Sequence, residues 1–385
     1  MKKIVILSPG PFLKGDYKRL GVEFLRKSCS VTILDLTAWI YPNFWKKYHN
    51  KIYQCEEYVS ISCKDDFLKL SFSKNSIIVL DFERYDKHTN WVRKQLKKLN
   101  SLFFFFETNM IPETPLNFNK ILSKIIKSIY KPSKIFKFIK TQYLSSKINF
   151  SSDILVLGGL AAPRKKKFKN ILNAHSMEYD VYLDLKNKPE KKKNPYAVFL
   201  DADLTSHLDY HLLNLTPPTT EDQYYPILLN FFQKFEIKTG FKIKFAVHPK
   251  SCNENLNNLL KGIDYSYGNT AELIKDSKAV LLHSSTALSY AVLFNKPAIF
   301  LTSNQLSKSW LGVNIEAFAK SVNGSIINID NNLDKELSSE RLLTTDTNKY
   351  KSYLDHYLKF PNTKDVLLWK IIVDYINKNN SRKEF

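Results

Sequence analysis

The residues best suited to chemistry gather in the second half of the chain. The stretch FAVHPKS sets His248, Pro249 and Lys250 directly after an apolar run. An imidazole there titrates near neutrality, so it can donate to a phosphate oxygen or carry a proton. Pro249 has no backbone N–H and helps end a strand, and Lys250 adds a cation. A second stretch, SKAVLLHSSTALSYAVLFNKPAIFLTS at 277–303, puts Ser284, Ser285 and Thr286 between an apolar run and a helical pattern. A helix starting at those hydroxyls would present unpaired N–H groups and the positive end of its dipole, which together attract phosphate. One hydroxyl suffices as a cap, and the remaining two imply a ligand.

Carboxylates come next. FLDADLTSHLDYH supplies Asp201, Asp203, His207, Asp209 and His211 within a few residues. Asp201-Ala202-Asp203 has the spacing that holds a divalent cation against a nucleotide diphosphate, but a donor with one phosphate needs no such clamp. Compact ligand spacing such as H-E-x-x-H is missing, so no metal is expected. NAHSMEYDVYL places His175, Glu178 and Asp180 just before a polar linker, where they suit either a cleft or an ordinary helix start. Asp16 follows the SPGPFLKG loop after the first apolar run. The candidates for catalysis are therefore His248, Asp201, Asp16, Glu178 and Asp180. G-x-G-x-x-G occurs nowhere, which disfavours dinucleotide-dependent redox chemistry, and no cofactor is expected.

These residues need a scaffold that gathers strand ends. Apolar runs recur in two series: KIVIL at 3, VTILDL at 31, SIIVLDF at 76, LFFFFE at 102 and DILVLGG at 153, then AVFLD at 197, KIKFAVHP at 242, AVLLHSS at 279, PAIFLTS at 297 and SIINID at 325. Runs that are apolar throughout mark strands covered on both faces. The pattern predicts an α/β chain with two Rossmann-like domains, their parallel sheets facing across a cleft. Ligands then collect beyond the carboxyl ends of the strands. The polar segment LKNKPEKKKNPY at 185–196 divides the series, giving a first domain at 1–190, a second at 191–364 and a C-terminal helix at 365–385.

Composition sets further bounds. With 385 residues and 44% hydrophobic content the chain can bury more than one core. The start, MKKIVILSPGPFLKGD, breaks too early for a signal peptide, and no run nears the ~18 apolar residues of a membrane span, so a cytoplasmic location is expected. Four cysteines lack C-x-x-C spacing. The net charge of +21 calls for an anionic partner unless it reflects only a Lys-, Asn- and Ile-rich composition. Residues 116–150 hold eight lysines and no acidic residue, with lysines at 120, 124, 127, 131, 134, 137 and 140. That spacing makes one helical face basic and the other apolar, which fits an ordinary surface helix or a docking face for an anionic inner membrane leaflet. The plentiful aromatic residues fall in strand-like runs, which argues against base stacking and nucleic acid.

A second-domain strand ending in His248-Pro249, followed by a strand, Ser284-Ser285-Thr286, a helix and KPAIFL, resembles bacterial sialyltransferases and the related nonulosonate and Kdo transferases of GT-B fold. The resemblance implies that His248, Pro249, Ser284, Ser285 and Thr286 hold the CMP part of a CMP-activated acidic sugar, with Lys250 beside them. GDYKRLGVEFLRK, VTILDLT, AHSMEYDVYL and VFLDADLTSHLDY are similar to segments of capsule and lipopolysaccharide proteins, including pseudaminic acid transferases. The matches touch about a quarter of the chain. An Asp-Asp-Gly motif, which carries the base in several such families, is missing, so the base stays open among the carboxylates above. The expected activity is transfer of pseudaminic, legionaminic, sialic acid or Kdo to a glycan or glycolipid acceptor, with a nucleotide-sugar epimerase or a non-enzymatic basic membrane-surface protein as rivals.

Overall fold

A computed structural model of the chain describes residues 2–8, 10–72, 77–82, 86–112, 153–165, 168–190, 194–213, 215–249, 251 and 253–380. Its first sheet contains β1 (Lys2–Leu7), β2 (Cys29–Asp35), β3 (Tyr58–Ser60), β4 (Ile77–Asp81), β5 (Leu102–Glu107), β6 (Ile154–Leu157) and β7 (Asn170–Asn173), in the order β3-β2-β1-β4-β5-β6-β7. The second contains β8 (Tyr196–Leu200), β9 (Lys242–Val247), β10 (Asp264–Tyr267), β11 (Ala279–Leu282), β12 (Ala298–Thr302) and β13 (Ser325–Asn328), in the order β10-β9-β8-β11-β12-β13. Every ladder is parallel. The order reverses between β1 and β4 in one sheet and between β8 and β11 in the other, and at such points neighbouring loops diverge and open a crevice.

The ten apolar runs of the sequence all became strands. Their residues are covered on both sides, as β4, β6, β8 and β11 show with every position buried. The remaining strands, β3, β7 and β10, lie at sheet edges and carry half-exposed or exposed residues, so they lack that apolar signature.

Between and around the strands run helices α1 (Lys14–Arg19), α2 (Pro42–Tyr48), α3 (Lys87–Lys97), α4 (Met177–Leu185), α5 (Leu208–Leu213), α6 (Glu221–Thr239), α7 (Leu288–Leu293), α8 (Thr347–Tyr353) and α9 (Leu368–Asn380). In α6 the buried residues Tyr224, Leu228, Phe231, Phe232 and Phe235 recur at helical spacing and bury one face against the second core. Gly240, at φ +71°, ends that helix in the left-handed region that glycine adopts most readily. No helix among the described residues is long and apolar enough to cross a membrane.

The end of the chain leaves the second domain and returns to the first. After α8 a π-helical turn, Leu354–Leu358, shifts the backbone register, and the carbonyls of Asp355 and His356 accept from Leu160 N and Ala161 N, both at 2.9 Å. Gly159 lets this contact form, because a Cβ there would stand 2.3 Å from His356 O. Helix α9 then buries Leu368, Trp369, Ile372 and Ile376 against Ile4, Ile6 and Phe104 of the first sheet. A side chain of that size contributes roughly 1.5–3 kcal/mol when fully buried. Gly21, at φ +74°, lies against Trp369 where no side chain fits.

Candidate active site

Three loops of the second domain meet at the carboxyl ends of β8, β9 and β11, which are neighbours in the sheet. The first begins at Asp201, which is only 5% exposed. Its Oδ1 accepts from Asp203 N at 2.8 Å and its Oδ2 accepts from His248 N at 3.2 Å, so one carboxyl ties the β8 loop to the β9 loop. Burial, with the charge of Asp203 as a smaller contribution, pushes Asp201 up to about 7. Asp203 adopts φ +46°, and its Oδ1 accepts from Ser206 Oγ at 2.5 Å. Its carbonyl accepts from His207 N at 3.0 Å. The His207 ring lies 4.4 Å from the half-buried His248 ring, centroid to centroid. Pro249 follows at an exposed position, and Lys250 lies outside the described residues.

The third loop differs from the sequence expectation. β11 ends at Leu282 and α7 starts only at Leu288, so Ser284, Ser285 and Thr286 form the turn before the helix rather than its cap. Ser285 Oγ accepts from Ala287 N at 3.2 Å, a local bond that competes with an earlier helix start. Ser284 and Ser285 are half-buried and Thr286 is exposed. His283 points the other way, into the core. It is fully buried, with Nδ1 2.7 Å from Leu301 O and Nε2 2.6 Å from the Tyr224 hydroxyl, and burial drops it to about 4. A neutral ring donating to Leu301 O and accepting from Tyr224 satisfies both contacts.

The first domain offers a cavity of about 170 Å³ at the ends of β4 and β5. Phe82 and Phe106, stacked 4.2 Å apart, line it together with Arg19, Glu107, Asn109 and Lys165. Glu107 pairs with Lys165. Beneath them Arg93 donates to Asp81 through Nε at 2.7 Å and Nη2 at 2.9 Å, and through Nη1 to Asn90 Oδ1 at 3.0 Å. The pair is fully buried and bidentate, which holds the floor of the cavity in one geometry. Arg19 also stands 3.8 Å from Glu178. Burial raises the Tyr290 hydroxyl of the second domain, with the charge of Glu178 next in weight, so this corner adjoins α7.

The other sequence candidates are held elsewhere. Asp16 Oδ2 accepts from Leu13 N at 3.0 Å and caps α1. Asp180 Oδ1 accepts from Leu368 N at 2.7 Å, at the junction with α9, and burial pushes this carboxyl up to about 7. His175, fully buried beside it, contacts Val366 O at 2.7 Å through Nε2 and belongs to the same junction. Asp201 and His248 are joined directly and the hydroxyl turn follows the neighbouring strand β11, whereas Asp16 and Asp180 accept from backbone amides elsewhere. Two residues outside the predicted set stand beside these features: His207, which the sequence offered only among a mixture of His and Asp, and Glu107, which closes the LFFFFE run and was not singled out. Among the described residues no group of three or more His, Cys, Asp or Glu is arranged to hold a metal ion.

No protein-family model matches the chain, and no curated protein matches it. Solved structures do. A UDP-N-acetylglucosamine 2-epimerase superposes over 100% of this chain and 97% of its own, with a TM-score of 0.50 at 12% identity. The spinosyn forosaminyltransferase SpnP covers 98% and 99% at 0.48 and 9%, and Arabidopsis thaliana UGT89C1 complexed with UDP covers 98% and 99% at 0.48 and 8%. At these identities the likeness is one of architecture. With two parallel Rossmann-like sheets of seven and six strands, the chain has the GT-B fold.

Proposed function

We propose that the protein is a glycosyltransferase that moves an acidic sugar of the nonulosonate or Kdo type from a CMP donor to a glycan hydroxyl. The observation that carries this reading is the convergence of His248, the Asp201 turn and the Ser284–Thr286 turn at one switch point of the second sheet. Leaving of CMP puts charge on its phosphate while the sugar becomes oxocarbenium-like. Donors fixed around that phosphate favour the transition state over the ground state. The likeness of His248-Pro249 and Ser284–Thr286 to the acidic-sugar transferases supports CMP in particular.

The acceptor belongs in the first-domain cavity. Stacked Phe82 and Phe106 suit the apolar face of a sugar, and Arg19, Glu107, Asn109 and Lys165 suit its polar groups. Glu107, which lines the cavity beside Lys165, and Glu178, 3.8 Å from Arg19 of the same lining, are the carboxylates nearest that cavity to deprotonate the acceptor in an inverting transfer. The eight lysines of 116–150, which lie outside the described residues, add positive charge that would suit anionic lipid, the surface on which a glycolipid acceptor would be presented.

A thermal-shift screen of CMP, UDP, GDP and their sugars tests the donor class, since a ligand raises the melting temperature of the state that binds it. CMP and CMP-sugars should stabilise the protein. Turnover of a UDP-sugar without any acceptor would overturn the transferase in favour of an epimerase. Salt-sensitive polyanion binding without nucleotide affinity would leave a basic surface protein.

A further inference from the structure

We propose that His207 joins His248 in a two-imidazole clamp on the phosphate of the bound nucleotide, with the Asp201–Asp203 turn setting the spacing of the two rings. The inference rests on the nucleotide-sugar reading above and goes beyond it by assigning a second imidazole, from a different loop, to the phosphate.

Six contacts build the clamp. The His207 and His248 rings lie 4.4 Å apart and are tilted by 54°. Each is anchored through its own backbone N–H to the same turn, His248 to Asp201 Oδ2 at 3.2 Å and His207 to the Asp203 carbonyl at 3.0 Å. The turn is itself fixed by Asp203 N on Asp201 Oδ1 at 2.8 Å and by Ser206 Oγ on Asp203 Oδ1 at 2.5 Å. Asp203 holds a left-handed backbone, φ +46°, a conformation costly for a residue with a Cβ and common where function constrains a loop. Finally, Asp209 N donates to His207 Nδ1 at 3.0 Å, so a neutral His207 carries its proton on Nε2 and is a donor there.

Two imidazoles this close resist double protonation, because the second charge is placed beside the first. An anion held by both removes that penalty, so phosphate binding is coupled to proton uptake. The groups facing the rings bear on the same balance. Uptake by His207 at Nδ1 gives up the bond from Asp209 N, and Asp209 Oδ2, 3.9 Å from the same nitrogen, is the acceptor that replaces it. Asp201 and Asp203 lie in the anchoring turn, and the Tyr210 ring, 5.9 Å from His207, carries a hydroxyl that burial pushes up to about 12 and that stays protonated through the neutral range. That leaves the imidazoles and the carboxyl of Asp201, which burial pushes up to about 7, to take up the proton.

The test compares CMP and UDP with cytidine and uridine by titration calorimetry in buffers of different ionisation enthalpy, using the full chain. Wild type should bind a nucleotide more tightly than its nucleoside and take up a proton. His207→Ala should weaken the nucleotide by about tenfold, leave the nucleoside unchanged and lower the uptake. His207→Gln should recover part of the affinity through its amide donor but not the uptake. A second measurement on the wild type needs no variant to fold. CMP should move two imidazole signals in the proton NMR spectrum toward higher pKa, whereas cytidine should move neither. A folded His207→Ala that binds CMP as wild type does, equal losses of nucleotide and nucleoside, or the movement of one imidazole only would each overturn the clamp. Binding of UDP but not CMP with the same dependence on His207 would keep the clamp and sink the CMP-sugar reading.

Discussion

The carboxyl of Asp201 joins two loops by accepting from His248 N at 3.2 Å while its other oxygen accepts from Asp203 N at 2.8 Å. Replacing it with Ala strands two N–H groups, each costing about 1–3 kcal/mol where buried. Asp201→Ala should therefore melt earlier and lose CMP binding, while Asp201→Asn, which keeps one acceptor oxygen, should fall between. Thermal unfolding and CMP titration measured together check this, and an Ala variant as stable and as tight as wild type would contradict it.

His248 sits at the other end of that bond, half-buried and directly after β9. A donor aimed at a developing charge typically contributes about 10²–10³ in rate. His248→Ala should lose about that much in CMP-sugar turnover with an unchanged melting temperature. Transfer at the wild-type rate by the purified variant would remove His248 from the site.

Asp180 gives a pH prediction whose sign follows from burial. Its folded pKa, about 7, lies above the ordinary carboxylate value, so the stability it allows is complete in acid and is lost as pH rises through 7. Asparagine is neutral at every pH and keeps an oxygen for Leu368 N, now 2.7 Å from Asp180 Oδ1. Asp180→Asn should match wild type only near pH 3.5, below the unfolded carboxylate value, and exceed it near pH 8 by on the order of 2–4 kcal/mol. Denaturant unfolding at the two pH values reads the difference, and an equal gain at both would show that ionisation plays no part.

Gly159 touches the π-helical turn where only backbone is available to give way. Gly159→Ala should push Leu354–Leu358 off the first domain and break the bonds from Leu160 N and Ala161 N. A destabilisation of about 2–4 kcal/mol is expected, in the range of other overpacked contacts. Hydrogen exchange should accelerate at Leu160 and Ala161 ahead of the strand amides, and unchanged protection there would place the strain elsewhere.

The covered strands could be read from the sequence because both faces of β4, β8 and β11 are buried and leave an unbroken apolar run. Edge strands could not, since β7 exposes three of its four residues. The His248-Pro249 position was equally plain, because a proline stop is a local signal. The role of Asp201 was hidden, for its partners are amides 2 and 47 residues away, and only the folded chain brings them together. His283 sat in the same stretch as Ser284–Thr286 and nothing local set it apart, yet strand alternation sends it inward to Tyr224. His207 depended on the left-handed turn at Asp203, a conformation an aspartate does not announce.

Helix α9 carries a consequence for anyone wishing to dissect the molecule. Leu368, Trp369, Ile372 and Ile376 are part of the first domain's interior although they come last in the chain. Scission at the lysine-rich linker would not yield two independent halves, because the amino-terminal fragment would be left with an uncovered greasy trough and the other with a sticky tail. The two fragments should stay insoluble apart and recover structure when co-expressed, which makes that linker a natural place to build a complementation sensor.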